Sequence, residues 1–313
     1  MRKTFGILLM AAAVAVPAMA QEKWLARETA REYREQARFP ESSRALKAGD
    51  ADPVKEKRTA TAQTQVGPEG KGALTVRAES VSFEVGRPIR LYATVEDGIA
   101  LEVTGEVVGQ SGELVASFAY ADDGRGIDRK AGDGIWSARV KMPAGIEPEL
   151  AASYMVKVRS RLLDGDVRES VGGFLYSNPA AHLTGRYRDE LRDGSLVIAA
   201  EVDVTRAGRF HLAGTLYSLA GDPVGTAQAA KELEPGRQWI ELSFYGLMFH
   251  DRQVAGPYRL GTVAFATTGG MPNALNDLVE NAFVTRTWKL EQMTRQPFGN
   301  QRLLEAAARL EQQ

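Results

Sequence analysis

The stretch 81–97, "VSFEVGRPIRLYATVED", alternates apolar and polar side chains with a period of two. Val81, Phe83 and Val85 share one face; beyond a Gly-Arg-Pro break, Ile89, Leu91, Ala93 and Val95 do the same. A strand of this kind has one dry face and must bury it against a second layer. Further runs follow at 114–120, 135–142, 154–163 and 171–176, punctuated by "EDG", "QSGE", "ADDG", "AGDG" and "LDGD". Short strands at this spacing predict a β-sandwich over residues 76–178.

Asn178-Pro179 disfavours continuation of a regular element, and the alternation then restarts. "SLVIAAEVDV" places Leu196, Ile198, Ala200, Val202 and Val204 on one face, and "RFHLAGTLYSL", "RQWIELSFYG", "PYRLGTVAFATT" and "NAFVTRTWKL" continue the pattern. A second sandwich is predicted over residues 182–292, with a hairpin turn at "LAGDP". The fold class is therefore all-β, two sandwiches in tandem.

The two ends of the chain read differently. Residues 1–20 have a basic start at Arg2 and Lys3, an apolar run and the small residues Ala18-Met19-Ala20, the pattern of a secretory signal peptide. That run is short of the roughly 20 residues needed to span a bilayer, so no stable membrane insertion is expected after cleavage. Residues 21–75 form a charged N-terminal arm: one thin-striped helix over 24–38, ended by Pro40, then linker or disorder over 50–71, where large apolar side chains are scarce. Residues 293–313 form a C-terminal helical tail, capped by Asn300, whose Leu303, Leu304, Ala307 and Leu310 make an apolar stripe. The expected place for that stripe is on its own protein, with a partner helix as the alternative.

The 313 residues include no cysteine, so stability rests on apolar cores rather than disulfides, and no thiol nucleophile exists. Removing Arg2 and Lys3 with the leader takes the formal charge from −1 to −3, a balance that argues against a nucleic-acid partner. The three histidines, His182, His211 and His250, show no spacing that sets two on one face, which disfavours zinc or copper. No GxSxG elbow, phosphate-binding loop or dinucleotide fingerprint is visible, and no catalytic residue is assigned. A hydrolase built from residues that meet only in space is the least favoured alternative.

The most chemically pointed segment is 122–136, "DDGRGIDRKAGDGIW". Asp122, Asp123, Asp128 and Asp133 are candidate ligands for calcium, which takes six to eight oxygens. The spacing is not that of an EF-hand, and Arg125, Arg129 and Lys130 reduce the local negative charge. Asp-Gly pairs also suit tight turns, because Asp bonds its own backbone and Gly accepts positive φ. Turn chemistry is the preferred reading, with carboxylates that point apart; no other cofactor is expected. The aromatics Trp239, Phe244, Tyr245, Phe249 and Tyr258 suggest either core or a carbohydrate platform, and core is preferred.

Residues 120–140, "YADDGRGIDRKAGDGIWSARV", resemble a recurrent Asp-Gly run of bacterial exported Ig-like domains. The stretch 208–260, with "LEPGRQWIELSFYG" and "GPYRL", is similar to the module that follows such a domain in proteins related to the choice-of-anchor X group; "REYREQARFPESSRAL" is similar to the N-terminal segment of some members. The resemblance implies an exported protein of tandem Ig-like sandwiches with no established activity. Nothing after Leu290 resembles a membrane or sorting signal, so a periplasmic or released protein is expected. The functional expectation is a non-catalytic binding or structural module of the envelope that engages an envelope or extracellular protein; glycan or peptidoglycan is the alternative ligand.

Overall fold

A computed structural model describes residues 18–67 and 72–312. Most of the expected leader, residues 1–17, lies outside the described residues, as does the linker segment 68–71. In chain order, helix α1 (Ala18–Gln36) precedes β1 (Ser43–Ala45), the one-turn helix α2 (Pro53–Glu56) and β2 (Gln63–Val66). There follow β3 (Ala73–Ala78), β4 (Ser82–Glu84), β5 (Ile89–Glu96), β6 (Ala100–Val108), β7 (Leu114–Ala119), β8 (Ile135–Val140), β9 (Ala151–Leu162) and β10 (Val167–Ser177). Past the Asn178-Pro179 break come β11 (Ala181–Arg192), β12 (Ser195–Val204), β13 (Gly208–Ser218), β14 (Pro223–Leu233) and β15 (Gly236–Phe244). Helix α3 (Leu247–Arg252), β16 (Tyr258–Thr268), β17 (Ala274–Leu275), β18 (Val279–Val284) and α4 (Gln301–Glu311) complete the chain.

Strands β2-β3-β5-β8 form one sheet and β4-β10-β9-β6-β7 another. Their dry faces share one core, with Leu74, Val76 and Leu91 from the first sheet meeting Val107, Val156 and Phe174 from the second. Each such side chain contributes about 1.5–3 kcal/mol on burial. Burial in β5 alternates residue by residue from Ile89 to Val95, as the period-two pattern requires.

The second pair of sheets is β1-β14-β13-β16-β17, with β18 also on β16, and β11-β12-β15. Phe210 stacks on Phe265 in the core at 5.7 Å between ring centroids. Strand β12, expected to have one wet face, is buried on both sides apart from Asp203. Flanking side chains lie over its outer face. Glu201 accepts a hydrogen bond from Thr184 Oγ1 at 2.8 Å and pairs with Arg186 at 3.5 Å, and the Arg188 guanidinium lies 4.5 Å from the centroid of the Trp239 ring.

The expectation of linker or disorder is corrected over residues 52–66, which cross the second sandwich as a strap and enter the first as β2. Asp52 caps α2 through the Val54 N–H at 2.9 Å. The same carboxylate accepts Thr215 Oγ1 at 2.6 Å and the Tyr217 hydroxyl at 2.7 Å. Burial alone would raise the Asp52 pKa, but the hydroxyls of Thr215, Thr262 and Tyr217 hold it below the ordinary value. Arg58 donates to the carbonyls of Phe265 at 2.9 Å and Asn276 at 3.3 Å; burial lowers its pKa to about 10, against the attraction of Asp277. The Arg58 carbonyl in turn accepts the Val81 N–H at 3.4 Å, so one residue touches both sandwiches. Nearby, Ser82 Oγ and Ser177 Oγ lie 2.6 Å apart, and Glu84 accepts the Asp277 N–H at 3.0 Å and meets His182 Nε2 at 3.1 Å. Both sandwiches fall in one compact unit, Ser42–Arg295.

A separate unit consists of the segment ending at Glu41 and Gln296–Gln313. Here α1 packs on α4, with Ala30 and Ala307 fully buried. Asn300 caps α4 through the Leu303 N–H at 3.4 Å, while its own N–H donates to Ala37 O at 2.9 Å. Arg34 meets the Glu311 carboxylate at 2.6 Å. The C-terminal stripe is thus docked on its own chain. Among the described residues, no helix is long and apolar enough to cross a membrane.

If the strap is integral to the fold, Asp52→Ala will remove a helix cap and leave the buried Thr215 hydroxyl unpaired. The expected loss is about 2–3 kcal/mol, read from the urea midpoint of the full chain. An unchanged midpoint would show that the strap is dispensable.

Candidate functional site

The aspartate loop joins β7 to β8 and is built on backbone hydrogen bonds. Asp122 accepts the N–H groups of Gly132 at 2.7 Å, Asp133 at 3.3 Å and Gly134 at 3.0 Å. Asp128 accepts Gly124 at 2.6 Å and Lys130 at 3.1 Å, Asp123 accepts Arg125 at 3.0 Å, and Asp133 accepts Ile135 at 3.0 Å. Gly124, Gly132 and Gly134 have φ of 71°, 69° and 81°, the left-handed region where a side chain is disfavoured.

The carboxylates do not all point apart. Oxygens of Asp122, Asp128 and Asp133 lie within 4.8 Å of one another, and Asp123 is outside the group. A groove of about 250 Å³ beside them is lined by Arg77 and Arg129 as well as by Asp128, Asp133, Tyr92 and Ile135. The donated N–H groups take up carboxylate lone pairs that a bound cation would need. The Gly124 amide, outweighing the cost of desolvation and joined by the Lys130 amide, holds the Asp128 carboxyl below the ordinary aspartate value.

The candidate aromatics form no exposed platform. Phe244, Phe249 and Tyr258 are fully buried; Trp239 is half-buried beneath Arg188, and Tyr245 is half-buried. The histidines are likewise apart: His182 meets Glu84 at 3.1 Å, His211 meets Gln228 at 3.3 Å, and His250 Nε2 meets the Met293 carbonyl at 3.2 Å.

A surface that sequence reasoning passed over lies at the end of the first sandwich away from the second. The β5–β6 turn, which crosses from one sheet to the other, the β9–β10 hairpin and the β7–β8 aspartate loop meet there, and β10 runs from this end to the junction, a rise of about 33 Å for its length. Ile99 is 67 % exposed and Leu163 63 %, and Leu101 and Val167, at the adjoining strand ends, are exposed as well. The Leu163 N–H donates to Ile99 O at 2.9 Å, which joins the β9–β10 hairpin to the β5–β6 turn.

Arg168 fixes this end from beneath. It is 7 % exposed, and its guanidinium donates to the carbonyls of Ala73 at 3.4 Å, Asp97 at 2.9 Å and Glu96. Gly98 packs close to the core: a Cβ there would sit 2.9 Å from Leu162 Cδ1, so that side chain would have to shift. The sequence signal was available in "EDGIAL" and "LLDGDV", where apolar residues flank Asp-Gly turns that are ordinarily polar.

Residues 180–273 match the DUF4785 C-terminal domain, a domain of unknown function. The DUF4785 C-terminal domain therefore corresponds to most of the second sandwich, and the hairpin end described above lies outside the match. No curated protein matches the chain. A solved DUF4785 family protein from Legionella pneumophila is 18 % identical, over 69 % of this chain and 59 % of that one, with a TM-score of 0.48. This chain thus spans less than two thirds of the Legionella protein. CopC from Methylosinus trichosporium is also 18 % identical, over 32 % of this chain and 86 % of that one, at a TM-score of 0.22. The E. coli alpha-2-macroglobulin is 10 % identical, over 69 % of this chain and 14 % of that one, at 0.33. At TM-scores below 0.5 these likenesses carry no functional argument.

If the aspartate loop serves its own backbone, millimolar calcium or a chelator will leave the melting temperature nearly unchanged. A ligand at a hundredfold excess over its dissociation constant would add about 2.7 kcal/mol, so a rise of several degrees that Asp128→Ala abolishes would overturn the turn reading. Acid gives an independent check. A carboxyl whose pKa falls on folding stabilises fully above its unfolded value, 3.8 for aspartate, and loses that contribution as pH drops through the lower folded value. Asp128→Asn is expected to flatten the fall in stability between about pH 5 and about pH 2; parallel wild-type and variant curves would remove Asp128 from the acid response.

Proposed function

We propose that this protein is an exported, non-catalytic binding module of the bacterial envelope, periplasmic or released, which works through protein–protein contacts. Its sheets are read as tandem Ig-like sandwiches, in keeping with the resemblance to the choice-of-anchor X group. The observation that carries the functional reading is the hairpin end of the first sandwich, where Ile99, Leu101, Leu163 and Val167 are exposed at turns that Arg168 clamps. Single exposed apolar residues are ordinary, but several gathered on two turns joined by the Leu163 N–H to Ile99 O bond point to a contact site. Loops held on a rigid sandwich are a common place for recognition.

A protein ligand is favoured over a glycan because, of the aromatics expected as a sugar platform, Phe244, Phe249 and Tyr258 are buried and Trp239 has Arg188 over its ring. The contacts of His182, His211 and His250 with Glu84, Gln228 and Met293 fit packing roles. No cofactor is assigned.

The test is a photo-crosslinking residue placed at Leu163 of the exported chain in living cells, with Lys157 on the charged face of β9 as the comparison. A protein adduct specific to position 163 is expected. A glycan adduct would favour the alternative ligand, and equal labelling from both positions would remove the hairpin end as the contact site.

A further inference from the structure

The hairpin end carries a charge pattern as well as an apolar surface, and together they describe a partner. Within residues 96–102 and 161–168 there are five carboxylates, Glu96, Asp97, Glu102, Asp164 and Asp166, against two guanidiniums, Arg161 and Arg168. The β7–β8 loop at the same end adds four aspartates against Arg125, Arg129 and Lys130, so the end as a whole stays acidic, and neither Arg161 nor Arg168 offsets the acidic rim freely. Arg161 pairs with Glu102 at 3.2 Å, and Arg168 is buried, bonded to backbone carbonyls and 3.5 Å from Asp166. Glu96, Asp97 and Asp164 are exposed, each within three residues of Ile99 or Leu163 in the chain.

The rim also has a defined shape. Asp164 accepts the Asp166 N–H and Asp166 accepts the Val167 N–H, each at 3.0 Å, which closes the β9–β10 turn. Asp97 holds a φ of 51° in the β5–β6 turn while Arg168 grips its carbonyl. Apolar side chains on a fixed backbone lose little freedom when a partner covers them, so affinity is not spent on ordering the loop. A net acidic surface attracts cationic partners and repels anionic ones, which disfavours an acidic protein surface or a membrane of anionic lipid.

We infer that the hairpin end of the first sandwich receives a basic amphipathic segment of a partner protein, its apolar side chains on Ile99, Leu101, Leu163 and Val167 and its lysines or arginines against Glu96, Asp97 and Asp164. This rests on the binding-module reading above and names the chemistry of the partner. Aliphatic contact supplies the attraction, and the acidic rim supplies orientation and selection.

The probe is a fluorescent helical peptide of leucine and lysine, compared with its leucine–glutamate counterpart and with vesicles of phosphatidylcholine containing phosphatidylglycerol, all tested on the full chain. The lysine peptide is expected to bind and to protect the amides of 96–102 and 161–168 from hydrogen exchange. Leu163→Asp should weaken it by about tenfold, the effect of losing one aliphatic side chain from a buried contact. Glu96→Lys or added salt should weaken it as well, because the rim attraction is screened. Ile99→Asp provides a second, independent apolar substitution should Leu163→Asp fail to fold. Absence of binding, equal binding of the glutamate peptide, indifference to both apolar substitutions, or vesicle binding through the same amides would each overturn the proposal. A protein adduct at position 163 without lysine-peptide binding would retain the binding module and discard this partner chemistry.

Discussion

Backbone N–H and C=O groups that leave a β-ladder must still find partners, and in this protein charged side chains supply many of them. Arg168 accounts for three carbonyls at the hairpin end of the first sandwich. Arg58 takes two carbonyls of the second sandwich, and Arg206 takes those of Glu149 at 3.0 Å and Asn178 at 2.9 Å. Asp122 does the complementary work for three N–H groups, and Asp52 does it for a helix start and two hydroxyls. Hydrogen bonds to a charged group contribute about 1.5–3 kcal/mol, more than an exposed ion pair at about 0–1 kcal/mol. The arginines and aspartates therefore matter to this fold chiefly as partners of the backbone.

The same constraint explains why the aspartate loop looks like a metal site and is organised as a turn. Three carboxylates can approach within 4.8 Å because each already faces the positive ends of N–H groups. A cation would have to compete with those bonds for lone pairs. The loop glycines at positive φ let successive amides turn toward Asp122 and Asp128, which a β-branched residue would resist. The resulting cluster is held by the protein's own dipoles.

The parts legible in the sequence were those whose determinants are local. Ile89–Glu96 declares its dry face by alternation alone, and Asn300 announces the start of α4 three residues before the amide it caps. The strap was illegible because its partners are remote. Asp52 is satisfied by Thr215 and Tyr217, more than 160 residues away, so its polar neighbourhood reads as linker until the second sandwich exists. Strand β12 misled for a related reason: Glu201 and its neighbours are covered by Thr184, Arg186 and Arg188 from β11, and no periodicity within β12 reports that cover. In the aspartate loop the turn bonds were readable from Asp-Gly pairs, whereas the convergence of Asp122 with Asp128 and Asp133 depends on how the whole loop closes.

The two ends of the first sandwich obey opposite logic. Toward the second sandwich, serines, Glu84, His182 and the strap arginine Arg58 make a polar junction, where packing and satisfaction of polar groups decide the residues. At the far end, the buried Arg168 and the turn aspartates take up backbone carbonyls and N–H groups of the turns. The side chains of Ile99 and Leu163 are not needed for that. They are also not needed for the core, since each is more than 60 % exposed while the adjacent Leu162 fills the interior at 1 %. Turns of this kind accept polar residues at no structural cost, so aliphatic side chains at these positions carry a solvation cost that neither the ladder nor the core offsets. A partner that covers them removes that cost, and the clamp beneath keeps them where a partner can meet them.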